Sequence, residues 1–180
     1  MIGLIIFYQD IRILKIWNRL DYMFFWNVVI WRMKNMQNLI HVLNLQGHIQ
    51  LLGPCFQGEV TKLYDWCQVL VLSSWSEGTP MVIIEAMAKA RPVIAPRITA
   101  IPEMVVEGQS GYLFRQGDAE DLARQLSRLM AQPQDLVRFG LAGRRRALEL
   151  FDLNRNARKL MAVFARELPW VPGDQEISPP

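Results

Sequence analysis

The chain has 180 residues, 51% of them hydrophobic and 21% charged, with a formal net charge of +3. That is the size of one domain, and the composition is globular rather than disordered. The mild positive charge permits anionic ligands or a membrane surface but does not argue for nucleic acid as a partner.

The amino-terminal stretch "MIGLIIFYQDIRILKIWNRLDYMFFWNVVIW" has apolar runs broken by Asp10, Arg12, Lys15, Arg19 and Asp21. None approaches the roughly 18–20 residues needed to cross a bilayer, and no basic region precedes the first run as in a signal peptide. Three of the six tryptophans fall here, so residues 1–32 differ in texture from the rest. Three readings stand: a core strand and helix, an aromatic and basic segment touching a membrane surface, or the remnant of a longer protein.

From about residue 33 the pattern is regular. "KNMQNLIHVLNL" places Met36, Leu39, Ile40 and Leu43 at helical spacing. "HIQLLG" reads as a short strand ended by Gly53-Pro54, and "GEVTKLYDWC" as a helix with Val60, Leu63, Tyr64 and Cys67 on one side. Cys55 and Cys67 lack metal-type spacing and read as small core residues of a reducing cytosol. "VLVLSS" is the continuous apolar run of a strand buried on both faces. Helix "PMVIIEAMAKA", strand "PVIAP", short helix "IPEMVVEG" and strand "GYLF" follow. Strands alternating with helices at about twenty-residue intervals predict a Rossmann-like α/β domain, a parallel sheet flanked by helices, over residues 33–168.

The remainder reads as helical. The stripes are Leu122, Leu126 and Leu129, then Leu136, Gly140, Gly143, Ala147 and Leu150, then Leu160, Met161, Phe164 and Leu168. Each predicts core packing. Arg144, Arg145 and Arg146 read as a solvated helix face, and residues 169–180 as a disordered tail.

The informative stretch is "SSWSEGTPMVIIEAMAKARPVIAP", Ser73 to Pro96, where Glu85 interrupts an otherwise apolar helix. Thr79-Pro80 is a helix start, with Thr79 as the N-cap and Pro80 in the first turn. A carboxylate in a buried helix costs several kcal/mol unless it is paired. Glu85 lies near the helix N-terminus, whose free N–H groups and dipole suit a phosphate. The helix opens after the carboxyl end of a parallel strand, where α/β proteins bind ligands, and the loops after "PVIAP" and "HIQLLG" end on the same edge. Glu77 stands in the loop, eight residues before Glu85. Together the two carboxylates suit vicinal hydroxyls on either side of a phosphate. The plainer reading makes Glu77 a surface loop residue and gives Glu85 a buried Arg or Lys partner.

The E-x7-E of "EGTPMVIIE" is followed in order by "AMAKARPVIAP", "IPEMVVEGQSGYLF" and "GDAEDLARQLSRLM". This run, about Met33 to Phe164, resembles the nucleotide-sugar-binding half of a retaining glycosyltransferase of the GT-B fold, family 4. The resemblance implies transfer of a sugar from a UDP-, GDP- or ADP-sugar to a saccharide or lipid-linked acceptor, without a metal or other cofactor, in the cytoplasm or peripheral to the membrane. It assigns Glu77 to the transferred sugar near the reaction centre. It gives Ser74, Gly78, Thr79, Pro80 and Met81 to the sugar and diphosphate, and Glu85 to the ribose. Departures are Ala90 where the family often has glycine, and Ser73 where it often has proline. The family's diphosphate clamp, a Gly-Arg and a Lys, has no clear counterpart. Arg19 in "NRLDYMFF" is the candidate arginine, and "WRMKNM" stands where a glycine loop is expected. Two GT-B domains need about 200–400 residues, so the acceptor half is expected from another chain, or else the chain is a non-catalytic nucleotide-sugar-binding module.

Overall fold

The computed structural model describes residues 4–7, 13–16, 37–53 and 55–167. Arg19, the segment "WRMKNM" and the tail at 169–180 lie outside the described residues. In chain order the elements are β1 (Leu4–Phe7), β2 (Ile13–Ile16), α1 (residues 37–42), β3 (Ile49–Gly53), α2 (Gln57–Trp66) and β4 (Val69–Leu72). Then follow α3 (Met81–Ala88), β5 (Val93–Pro96), α4 (Ile101–Met104), β6 (Gly111–Phe114), α5 (Ala119–Ala131), α6 (Pro133–Leu150) and α7 (Leu153–Glu167). No described helix is long and apolar enough to cross a membrane.

The strands form one sheet in the order β3-β2-β1-β4-β5-β6. All four strands read from the sequence are present. Neighbours β1, β4, β5 and β6 run parallel. Two features extend this parallel core. Residues 4–7 and 13–16, inside the segment set apart as 1–32, are strands of this sheet. The sheet is also not wholly parallel, because β2 pairs antiparallel with both β1 and β3. For the β1–β2 pair the cause is length: only residues 8–12 separate the two strands, and a parallel crossover takes a dozen or more.

The core has two layers, one on each face of the sheet. Leu70 and Leu72 of β4, Val93 and Ala95 of β5 and Leu113 of β6 pack with Tyr64, Ile83, Ala86, Met87 and Ala147. The alternate residues Val69, Val71, Ile94, Tyr112 and Phe114 pack with Leu129 and Phe139. This is the period-two alternation of strand side chains, with both faces apolar because helices cover both.

Helix α3 lies along α6, and the Gly140/Gly143 pair is the reason. A Cβ on Gly140 would stand 2.1 Å from the carbonyl oxygen of Ala90, and one on Gly143 3.4 Å from Met87 Cγ. The backbone of α6 thus rests on the turn that ends α3. That turn is a Schellman motif. The N–H of Arg91 donates to Ala86 O at 2.8 Å and the N–H of Ala90 to Met87 O at 2.9 Å. Its left-handed residue is Ala90, at φ 54°, so the alanine noted as a departure occupies a conformation that favours glycine.

Several burial expectations fail in detail. Helix α3 is not wholly buried: Met81 is 61% exposed and Ala88 is exposed, while Ile83, Ala86 and Met87 are buried. Of the α1 stripe Met36 lies outside the described residues, Ile40 is buried, and Leu39 and Leu43 are exposed. The stripe of α7 is exposed throughout, including Leu160, Met161 and Phe164. Periodicity locates an apolar face but does not say what covers it. Arg146 is not part of a solvated face. Its guanidinium donates to the carbonyls of Met104, at 2.9 Å, and Glu103, tying α6 to α4. Cys67 is buried as expected, whereas Cys55 is only partly so.

The Ala90 strain and the Gly140 contact make opposite predictions. Ala90→Gly relieves a left-handed alanine and is expected to raise stability by about 0.5–1 kcal/mol. Gly140→Ala drives a methyl into a backbone carbonyl and is expected to cost about 1–3 kcal/mol. Urea unfolding of both variants at constant m-value measures the difference.

Candidate functional site

Strand β4 delivers the chain to the carboxyl edge of the sheet, and residues 73–80 turn there before α3 begins. Ser74 is 2% exposed, and its hydroxyl has no hydrogen-bond partner among the described residues. It lines an open pocket of about 290 Å³ with Trp75, Phe114, Gly117, Asp118 and Leu122, on the face of the sheet covered by α5. Trp75 holds the loop there. Gly117, at φ 73°, lies under its indole, where a Cβ would stand 2.8 Å from Trp75 Cη2. The Gln116 side-chain amide donates to the Trp75 carbonyl.

The pocket also abuts the start of α5. Asp118 is the N-cap, its carboxylate accepting the Asp121 N–H at 2.8 Å. Asp121 in turn accepts the Arg115 N–H at 2.7 Å. That backbone hydrogen bond, helped by Gln125 and Arg124, lowers the Asp121 pKa from its ordinary value.

Further along the loop, Gly78 and Thr79 are exposed and Glu77 is half-buried. Among the described residues no group hydrogen-bonds or ion-pairs with Glu77. The N-cap of α3 is Pro80 rather than Thr79: Pro80 is extended (φ −69°, ψ 111°) and its carbonyl accepts the Ile83 N–H at 3.1 Å. The ring fixes φ but leaves ψ free, so proline tolerates the last non-helical position as well as the first helical one. No side chain caps this end. The first-turn N–H groups therefore face the loop with no side-chain acceptor upon them.

Glu85 has a partner, and it is neither Arg nor Lys. The buried Tyr64 of α2, 2% exposed, donates its hydroxyl to Glu85 Oε2 at 3.0 Å. The same hydroxyl lies 3.4 Å from the Val82 carbonyl. Burial above all, then the adjoining carboxylate, pushes the Tyr64 pKa far up, so the hydroxyl stays protonated. Glu85 itself is half-buried, so the cost of an isolated carboxylate is avoided in two ways, by a donor and by residual solvent. Sequence reading placed Tyr64 only in an apolar stripe. The available signal was chemical: a buried tyrosine usually finds a hydrogen-bond partner for its hydroxyl.

The structure therefore gathers Glu77, Gly78, Thr79, Pro80, Met81 and Glu85 on one loop–helix junction. It sets Ser74 in a pocket on the opposite face from the Tyr64–Glu85 pair. The loop after β3 ends on the same edge, but β2 and β1 separate β3 from β4. At about 4.8 Å per strand, that loop stands roughly 14 Å away. Among the described residues no three His, Cys, Asp or Glu side chains come together as a metal site. Chemically, the junction offers uncapped amides and a helix dipole for an anion and two carboxylates for hydroxyls.

Comparison with known proteins gives the family of the chain. Residues 14–132 match the family described as glycosyl transferases group 1, and the chain belongs to that family. Over 133 residues it is 31% identical to the MMP alpha-(1->4)-mannosyltransferase of Mycolicibacterium hassiacum, covering 73% of this chain and 32% of that protein. Over 126 residues it is 35% identical to a D-inositol 3-phosphate glycosyltransferase of Streptomyces bingchenggensis, covering 70% and 28%. The chain thus spans about a third of the length of these relatives. Its fold is similar to that of Anabaena HepE, crystallised with UDP and glucose, at TM-score 0.76 and 16% identity over 92% of this chain and 48% of that one. It is also similar to the C-terminal domain of the group 1 glycosyl transferase LpcC from Francisella tularensis, at TM-score 0.68 and 17% identity over 84% and 87%. The α/β fold is that of one domain of the GT-B glycosyltransferases.

The Asp121 network predicts a pH effect. A carboxylate whose folded pKa is depressed contributes stability above its unfolded pKa, and that contribution is lost as pH falls through the folded value. Thermal unfolding is expected to show Asp121→Asn less stable than the parent at neutral pH. The gap should close as pH drops below the ordinary carboxylate range.

Proposed function

We propose that the chain binds a nucleotide-sugar and acts as the donor half of a retaining, family 4 glycosyltransferase of the GT-B fold. It passes the sugar of a UDP-, GDP- or ADP-sugar to a saccharide or lipid-linked acceptor. The observation that carries this reading is the loop–helix junction, where two carboxylates eight residues apart flank the uncapped start of a helix at the carboxyl edge of the sheet. The uncapped amides of α3 take the diphosphate. There the dipole and N–H groups offset charge that grows on the leaving group as the glycosidic bond breaks. Gly78, Thr79, Pro80 and Met81 shape the approach. Glu77, half-buried and without a protein partner among the described residues, accepts hydroxyls of the transferred sugar, and Glu85 accepts those of the ribose. Ser74, facing the pocket beside Trp75, is the least supported member of the donor set. HepE, of similar fold, has been crystallised with UDP-glucose, which supports a UDP-sugar among the three donor classes. The donor is the substrate, and the reading includes neither metal nor cofactor. It places the protein in the cytoplasm or at the membrane periphery, with no nucleic-acid partner.

A second reading is a nucleotide-sugar-binding module with no turnover of its own. The two readings agree on the site and differ on whether the bound sugar is transferred. Aligning two bound reactants can contribute roughly 7–11 kcal/mol, and a chain holding the donor alone forgoes most of it. The purified 180-residue chain is expected to bind a nucleoside diphosphate and to show little sugar transfer, in the presence or absence of EDTA. Robust transfer by this chain alone would contradict the division of labour.

The roles of the two carboxylates separate by titration calorimetry. Hydrogen bonds to a charged group are worth about 1.5–3 kcal/mol. Glu85→Gln is therefore expected to weaken the bare nucleoside diphosphate about tenfold or more. Glu77→Gln is expected to leave that affinity unchanged and to weaken only the intact nucleotide-sugar. Equal effects on the diphosphate would refute the assignment.

A further inference from the structure

The donor site reading uses Glu85 but does not explain how its carboxylate is aimed. A glutamate on a helix has three side-chain torsions, and each ordered rotamer costs entropy. A half-buried carboxylate that tumbles among rotamers is a poor template for a rigid ribose. The structure supplies an orienting group. Tyr64 comes from a different helix, α2, and is packed in the core against residues of β4 and α3. Its ring carries only two torsions, both fixed by that packing, so the hydroxyl is a rigid point.

From that point a single proton is available. The carboxylate at 3.0 Å is the shorter and charge-assisted acceptor, and the Val82 carbonyl at 3.4 Å is the weaker one. Glu85 Oε2 is thereby engaged by the protein, while Oε1 has no protein partner among the described residues. The protonated state of the phenol, held by burial, keeps the direction of this bond fixed. A neutral donor also differs from a cation. It orients the carboxylate without cancelling its charge, so hydrogen bonds from ligand hydroxyls remain charge-assisted.

We propose that Tyr64 is a positioning residue for ribose recognition: its buried hydroxyl holds Glu85 Oε2 and presents Oε1 to the ribose hydroxyls of the donor. The inference rests on the reading of Glu85 as the ribose ligand and adds to it a partner on a second helix. It also ties α2 to ligand affinity, since any shift of α2 relative to α3 would turn the carboxylate.

The experiment compares ribo- with dideoxyribonucleotides. UDP, GDP and ADP, each beside its 2′,3′-dideoxy counterpart, are titrated into the full chain and into Tyr64→Phe, with thermal unfolding followed in parallel. The full chain is expected to prefer at least one ribonucleotide about tenfold or more over its dideoxy form. In Tyr64→Phe that ratio is expected to fall to within about threefold of unity while the dideoxy affinity stays the same. An unchanged ratio in a Tyr64→Phe protein of lower melting temperature would assign Tyr64 a structural role only, leaving Glu85 as the ribose ligand. A ratio near one in the unsubstituted chain for all three nucleotides, or no binding of any, would overturn the Glu85 reading and the inference with it. If Tyr64→Phe does not fold, Glu85→Asp gives the same test. It withdraws the carboxylate from the Tyr64 hydroxyl by one methylene while keeping its charge, and a preserved ribose preference there would equally overturn the positioning role.

Discussion

Strands β4, β5 and β6 are buried on both faces, and most of the architecture follows from that constraint. A strand apolar on both sides cannot lie at the surface, so helices must cover each face. Parallel neighbours can be joined only by crossovers long enough to hold a helix. Because every such strand points the same way, every strand-to-helix loop emerges at one edge. The loop carrying Glu77 and the start of α3 are at that edge because Val69–Leu72 is apolar throughout, and for no more local reason. The one antiparallel strand, β2, lies on the far side of β1, away from the β4–α3 junction.

The second constraint is the close approach of α6 to the end of α3. Helix α3 has only eight residues, too few to be stable alone, so its position is set by what it packs against. Gly140 lets the α6 backbone meet the Ala90 carbonyl directly. On the other side, Lys89 pairs with Asp65 of α2 at 2.7 Å, and Arg91 donates to the Asp65 carbonyl at 2.9 Å. The exposed Lys89 pair contributes little energy by itself. With the Schellman turn, however, these contacts fix the carboxyl end of α3 between two neighbours. The amino end, which faces the candidate site, has no side-chain cap among the described residues, and its contact with α2 is the Tyr64 hydroxyl, 3.4 Å from the Val82 carbonyl. A helix anchored at its carboxyl end and uncapped at its amino end suits the proposed diphosphate, which needs a fixed axis and free amides.

Much of this was legible in the residues. The four strands at His48, Val69, Pro92 and Gly111 were marked by apolar runs bounded by turn residues. The E-x7-E was marked by a charge in an apolar helix. What was not legible involves relations between elements. Leu4–Phe7 is as apolar as β4, but nothing local says that it pairs with Val69–Leu72, because sheet pairing is a long-range choice. The α7 stripe at Leu160, Met161 and Phe164 has helical spacing as the α5 stripe does, and only the tertiary structure shows that Leu122, Leu126 and Leu129 pack on the core while the α7 stripe is exposed. The N-cap moved one residue on, from Thr79 to Pro80, since both satisfy the local rules and the difference is the ψ angle of Pro80.

The Glu85 question shows the same division between local and tertiary information. An interrupted apolar helix poses a definite physical problem, and sequence chemistry enumerates its solutions: a cation, a donor, a ligand or solvent. The solution found is a mixture. Tyr64 supplies one donor, partial exposure supplies water, and one oxygen is left over. A cationic partner would have satisfied the carboxylate fully, leaving weaker reason for a polar ligand to bind there. A neutral, rigid donor satisfies it halfway. The fold tolerates the residue, and the remaining hydrogen-bonding capacity stays at the edge where the loops open. Incomplete satisfaction by the protein is therefore what leaves Glu85 able to serve the ribose in the proposed reading.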